Sequence, residues 1–161
     1  RVTILQGDAA DHVPEPAAFD IVSCLGATWI GGGIAGTLAL MRPALKPGGT
    51  ILVGEPYWIE PPPTEALTVM DIRPDDFTGL GGTADRIAGA GLELIELVIA
   101  SPDDWDRYEA VQWATITRWL AANPDDPDHG AMIGFRDQAR RAYLAWGRRY
   151  LGWGVFVARP R

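Results

Sequence analysis

At 161 residues and 47% hydrophobic content, the chain is sized for one globular domain with its own core. A formal charge of -7 argues against nucleic-acid backbones and anionic membrane surfaces as main partners. No apolar run approaches the ~20 residues that span a bilayer, there is no signal-peptide pattern, and the single Cys24 cannot close an internal disulfide, which suits a reducing cytoplasm.

In chain order, residues 2–5 (VTIL), 21–25 (IVSCL) and 51–54 (ILVG) are short, branched apolar runs without clean alternation. Such runs suit strands covered on both faces, as in a parallel sheet. Between the second and third, Ile34, Leu38, Met41 and Leu45 share one helical face, with a fresh turn expected at Pro43. Gly48-Gly49 then supplies a stop and a reversal, completing a right-handed βαβ unit. A helix is expected from about Thr83 to Gly89–Gly91, weakened upstream by Gly79, Gly81 and Gly82. Residues 92–100 read as a strand and 153–160 as a final one. Between them, Ser101-Pro102-Asp103-Asp104 is a helix start, and Trp105, Tyr108, Gln112, Ile116 and Trp119 follow at helical spacing. Residues 123–130 (NPDDPDHG) break that helix, and Phe135, Ala139, Ala142, Trp146 and Tyr150 mark a second, closed by Gly152.

Ligands of an α/β sheet sit beyond the carboxyl ends of its strands. Those ends are Gly7-Asp8-Ala9, Cys24 to Trp29, and Glu55 to Trp58. Asp8 can accept from a purine amino group or cap a helix. Gly26 and Ala27 permit close approach of a ligand to the backbone. Trp29, Tyr57 and Trp58 can wall a pocket or fill core, and Glu55 can take a proton or pair with a cation. His12 and His129 read as surface residues, and two His with one Cys give no metal spacing. Gly31-Gly32-Gly33 fits a helix start better than a phosphate cradle.

The segments GDAAD, FDIVSCLGATW and LKPGGTILVGEPYW resemble, in order and spacing, the class I S-adenosylmethionine-dependent methyltransferases. Residues 103–113 (DDWDRYEAVQW) further resemble a bacterial subgroup acting on small molecules. The resemblance implies a Rossmann-like α/β sheet of order 3-2-1-4-5-7-6, of which residues 2–5 match the third strand. It implies Asp8 and Ala9 at the adenine, and Cys24, Leu25, Gly26 and Ala27 under the methionine part and the methyl. It also implies Glu55, Tyr57 and Trp58 facing the acceptor, with Trp29 a further candidate for the pocket wall; where the acceptor must lose a proton, Glu55 is the candidate base, ahead of His12. Trp105 and Tyr108 are open as acceptor-pocket residues or as packing. After the fourth strand the chain has Cys24-Leu25-Gly26-Ala27, not the acidic or Asn, double-proline, aromatic pattern of nucleic-acid amino methyltransferases, which turns the expectation to a small-molecule acceptor. Residues 1–100 and 152–161 are expected to form a partial methyltransferase core. Residues 101–151 then form a helical insertion packing on or capping the substrate side.

The family's Gly-rich loop after its first strand, and the acidic residue ending its second, have no counterpart in the sequence. The chain is therefore expected to be a fragment that lacks about half the cofactor cradle and binds S-adenosylmethionine poorly, with residues 2–5 unpaired and an apolar edge along 21–25. Two alternatives stand beside the enzyme: a non-catalytic, methyltransferase-like interaction module, and a nicotinamide-dependent Rossmann enzyme. The acceptor atom and the oligomeric state are not encoded in any motif.

Overall fold

In the computed structural model, which describes residues 2–161, the chain divides into two compact units. The first comprises residues up to Pro56, Leu80–Val98 and Gly154–Arg161; the second comprises Tyr57–Gly79 and Ile99–Trp153. One four-stranded sheet runs in the order β1-β2-β4-β3, from β1 (Phe19–Leu25), β2 (Leu45–Trp58), β3 (Leu92–Ile99) and β4 (Leu151–Pro160). β1 and β2 are parallel, with Cys24 opposite Val53 and Leu25 opposite Gly54.

In the first unit, α1 (Ile34–Met41) and α3 (Leu80–Gly89) pack with the sheet around Ile34, Leu38, Ile51, Val53, Ile87, Leu92 and Phe156. The Ile34, Leu38, Met41 stripe is buried as the periodicity requires. The helix ends at Met41, however. Pro43 sits in a short 3-10 turn, Arg42–Ala44, and Leu45 is already the first residue of β2.

The sequence Lys46-Pro47-Gly48-Gly49 is thus not a turn before the strand but an excursion within it. Phe19 faces Leu45 and Ile21 faces Thr50, so β2 advances five positions where β1 advances two. Gly48 takes φ +77°, and a Cβ on Gly49 would lie 2.8 Å from Leu45 Cδ1 and 2.9 Å from the Asp20 carbonyl oxygen. The Lys46 ammonium closes the bulge on Asp20 at 2.9 Å. Stiff proline followed by bare backbone is what lets β2 re-enter register.

The expected strand at residues 2–5 does not form. Those residues lie outside any strand, with Val2, Ile4 and Leu5 exposed, because a strand needs a neighbour to take its backbone hydrogen bonds and the sheet ends at β1. On β1, Phe19, Ile21 and Leu25 are exposed.

α3 begins at Leu80, earlier than expected, its glycines notwithstanding, because Leu80, Thr83 and Ile87 pack into the core and outweigh a propensity cost of ~1 kcal/mol per glycine. It ends at Gly89, and Gly91 just beyond takes φ +75°.

The second unit is helical. α2 (Thr64–Met70), which no periodic pattern in the sequence announces, starts straight after Pro61-Pro62-Pro63 and packs Ala66 and Leu67 with Trp58 and Tyr150. α4 (Pro102–Ala122) and α5 (His129–Ala142) pair, as the helical spacing predicts. α5 continues through a π turn, Tyr143–Gly147, into the short α6 (Arg148–Tyr150). The Tyr143 hydroxyl donates to Asp106 Oδ1 at 2.6 Å, and Arg148 holds the same carboxylate at 2.9 Å. Gly152 belongs to β4 rather than closing a helix; its bare Cα lies under the Tyr57 ring, into which any Cβ would collide.

α4 opens on a capping box: Asp104 N–H donates to Ser101 Oγ at 3.2 Å, and Ser101 N–H donates to Asp104 Oδ2 at 3.2 Å. Ser101→Ala is expected to lower unfolding free energy by ~1 kcal/mol, read from urea denaturation midpoints.

Candidate functional site

The carboxyl end of β1 lies beside Gly54 of β2, because the strands are parallel and in register to Leu25–Gly54; β2 continues past that point to Trp58, so the expected strand end at residue 54 is not observed. Gly26 continues the ladder, its N–H donating to the Gly54 carbonyl at 3.1 Å, and then turns with φ +74°. Cys24 is half-buried, Leu25 is exposed, and Ala27 leads into a 3-10 turn, Thr28–Gly31. The turn is pinned from within. Thr37 Oγ1 donates to the Thr28 carbonyl at 2.6 Å and accepts from Gly31 N–H at 3.2 Å. Gly31 and Gly36 touch backbone to backbone, so that a Cβ on Gly36 would collide with the Gly31 carbonyl oxygen. The Gly31-Gly32-Gly33 run therefore serves close packing and helix entry.

Glu55, one residue past the last β1–β2 pair, is 2% exposed. Thr28 Oγ1 donates to its Oε2 at 2.5 Å, a short bond. Burial raises the Glu55 carboxyl above its ordinary range, while the Thr28 hydroxyl and the Arg86 guanidinium field oppose that shift. Burial, with a smaller push from the Glu55 charge, also raises the Cys24 thiol, the direction opposite to that of an activated thiolate. Sequence reasoning does not single out Thr28 or Thr37. Their only signal is a hydroxyl placed directly after the Gly26-Ala27 pair and another one helical turn inside α1.

The other sequence candidates fall as follows. Asp8 and Ala9 are exposed, and Asp8 makes local bonds, its Oδ1 accepting from Ala10 N–H at 2.9 Å. Trp29 is 77% exposed at the tip of the 3-10 turn. Tyr57 and Trp58, which follow Glu55 on β2, belong to the second unit and are buried rather than exposed. Also in the second unit, Trp105 stacks between Tyr108 (centroids 5.4 Å apart) and Trp153 (6.0 Å). Its indole N–H is buried without a partner among the described residues, as is that of Trp113. Tyr108 is exposed. So the structure brings Cys24, Leu25, Gly26, Ala27 and Glu55 together where β1 ends beside β2, while Asp8 and Ala9 stand in an irregular segment.

The second unit holds a groove of about 400 Å³ lined by Trp58, Ile59, Glu60, Pro61, Pro62, Leu67, Pro74 and Gly79. Among the described residues no cluster of three His, Cys, Asp or Glu is arranged to hold a metal, and no helix is long and apolar enough to cross a membrane.

No protein-family model matches the chain. A methyltransferase structure from Geobacter sulfurreducens, in complex with S-adenosyl-L-homocysteine, is 42% identical, with a TM-score of 0.92 over 100% of this chain and 65% of its own. A second, from Thiobacillus denitrificans with the same ligand, is 39% identical, with a TM-score of 0.88 over 98% of this chain and 64% of its own. The uncharacterised protein YjhP of Escherichia coli is 40% identical, and its crystal structure gives a TM-score of 0.90 over 98% of this chain and 64% of its own. The chain thus spans a little under two thirds of the length of these relatives. It is a homologue of the S-adenosylmethionine-dependent methyltransferases, with an α/β fold matching part of theirs.

Proposed function

We propose that the chain carries the later part of a methyltransferase that moves the S-adenosylmethionine methyl group to a small-molecule acceptor. The observation that carries this reading is the end of β1 beside β2, where bare backbone at Gly26, the small Ala27 and the half-buried Cys24 adjoin a carboxylate, in a chain 42% identical to a methyltransferase crystallised with S-adenosyl-L-homocysteine. The order β1-β2-β4-β3 corresponds to 4-5-7-6 of the family sheet. Cys24 to Ala27 fit the group, offering a close backbone approach to its amino-acid part and to the methyl-bearing sulfur; Asp8 and Ala9, which the family resemblance assigns to the adenine, stand in an exposed irregular segment.

When bound, the sulfonium supplies an electrophilic methyl. The chain's own residues hold the acceptor in line and exclude water. Glu55 acts chiefly by position, because its carboxylate is buried and engaged by Thr28, so it fixes the loop that runs from Cys24 to Ala27. Its raised carboxyl favours a second role as proton acceptor for a hydroxyl or ammonium that reaches it.

The relatives' remaining third would complete the cradle. Calorimetry of the 161-residue chain with S-adenosyl-L-homocysteine is therefore expected to show binding far weaker than micromolar; low-micromolar affinity would contradict a partial site. The exposed Phe19, Ile21 and Leu25 on β1 favour a second reading, an interaction module acting through that edge. Ile21→Lys abolishing association with a captured partner, in a chain that never binds the cofactor, would favour the module.

A further inference from the structure

We propose that the groove beside Trp58 is a binding site for an uncharged, ring-bearing small molecule. Its volume, about 400 Å³, is of the size that takes small ligands. Its walls are Trp58, Pro61, Pro62, Leu67 and Pro74, rigid side chains that lose little freedom when a ring settles on them. Trp58 is held in advance: its backbone N–H donates to the Thr78 carbonyl at 2.9 Å, and its ring meets Phe77 edge to face at 5.8 Å.

Glu60 is the charged residue of the lining, and Arg149 Nε already sits 2.6 Å from its Oε1. Arg149 is itself steadied over the Tyr150 ring at 5.1 Å. The Glu60 carboxylate is thus already paired by a guanidinium that does not itself line the groove. A cationic or anionic ligand would lose hydration there without a counter-charge to replace it, whereas a neutral ring loses little. The Glu60 oxygens retain capacity to accept one N–H or O–H from such a ring. At the groove's edge Gly79 leaves space for a side chain: a Cβ added there would have the Trp58 carbonyl oxygen as its nearest neighbour, at 3.6 Å.

Naming this ligand the methyl acceptor rests on the reading above; the binding does not, and it can be measured without any cofactor. Three probes share one ring system and differ in charge: indole, tryptamine and indole-3-acetate. With ¹⁵N-labelled tryptophan, indole is expected to move the Trp58 Nε1 resonance, assigned by its loss in Trp58→Phe, and to bind at least about tenfold more tightly than either charged probe. Gly79→Leu, which adds bulk at the groove's edge where an added Cβ has ordinary contact with the Trp58 carbonyl oxygen, is expected to weaken indole about tenfold or more. Arg149→Gln is expected to raise the affinity for tryptamine while leaving indole unchanged. No response at Trp58, equal binding of the three probes, or indifference to Gly79→Leu would each overturn the proposal. Indole failing while S-adenosyl-L-homocysteine perturbs Cys24 to Ala27 would remove the groove alone; the reverse would remove the methyltransferase reading alone.

Discussion

Thr28→Val is expected to destabilise the chain by ~1–3 kcal/mol at neutral pH, because it deletes the hydroxyl that donates to a buried carboxylate while keeping the side chain's shape. The effect has a pH signature. The Glu55 carboxyl is raised in the folded state, chiefly by burial, so its contribution to stability is fully present below the ordinary carboxyl range and is lost as pH rises through the folded value. Removing the Thr28 donor raises that value further. The Thr28→Val penalty is thus expected to be small in acid, where the carboxyl is protonated in both states, and to grow as pH rises past the folded value. Glu55→Gln removes the titration, and the double variant is expected to fall well short of additivity. Urea denaturation of the four proteins across pH reads all of this; a Thr28→Val penalty that is flat with pH and unchanged in the Glu55→Gln background would show that the bond does not couple to the carboxylate.

Phe156→Ala is expected to cost ~3–5 kcal/mol and to lower the melting temperature by roughly 10 °C. Phe156 is fully buried on β4, between β2 and β3 in the sheet order, and packs in the cluster of Ile51, Val53, Ile87 and Leu92. No flexible chain end can collapse into the space, since the neighbours belong to strands and a helix. The neighbouring Val155 and Val157 are only half-buried, so Val157→Ala is the control, with an expected cost near ~1 kcal/mol. Similar losses at 156 and 157 would mean that β4 does not present alternate faces to a core and a partly open surface.

The paired helices α4 and α5 were legible because their stretch carries its own signals: Ser101 with Asp104 as a capping box, Pro102 inside the first turn, and a broken stretch at 123–130. β1 and β3 were legible as branched apolar runs. The excursion at Lys46 to Gly49 was not, because Pro-Gly-Gly signals a reversal locally, and only the register of β1 shows that the chain stays in the ladder. Residues 2–5 carry a strand's composition but lack a neighbour, and strand formation depends on the partner as much as on propensity. α2 escaped notice because seven residues behind three prolines leave too short a window for periodicity. At the site, Glu55 stood out as an acid directly behind the apolar run 51–54, but the strand does not end there: β2 runs on through Glu55 to Trp58. Thr28, the residue that engages Glu55, lies 27 positions away and becomes visible only when β1 and β2 are paired.

The most direct measurement is an amide chemical-shift map of the 161-residue chain titrated with S-adenosyl-L-homocysteine into the millimolar range. The largest changes are expected at Cys24, Leu25, Gly26, Ala27 and Glu55, with α4 and α5 unmoved. A map that is silent at those five residues, or centred on the helices, would contradict the assignment of the β1 end beside β2 as the cofactor's methyl-bearing side.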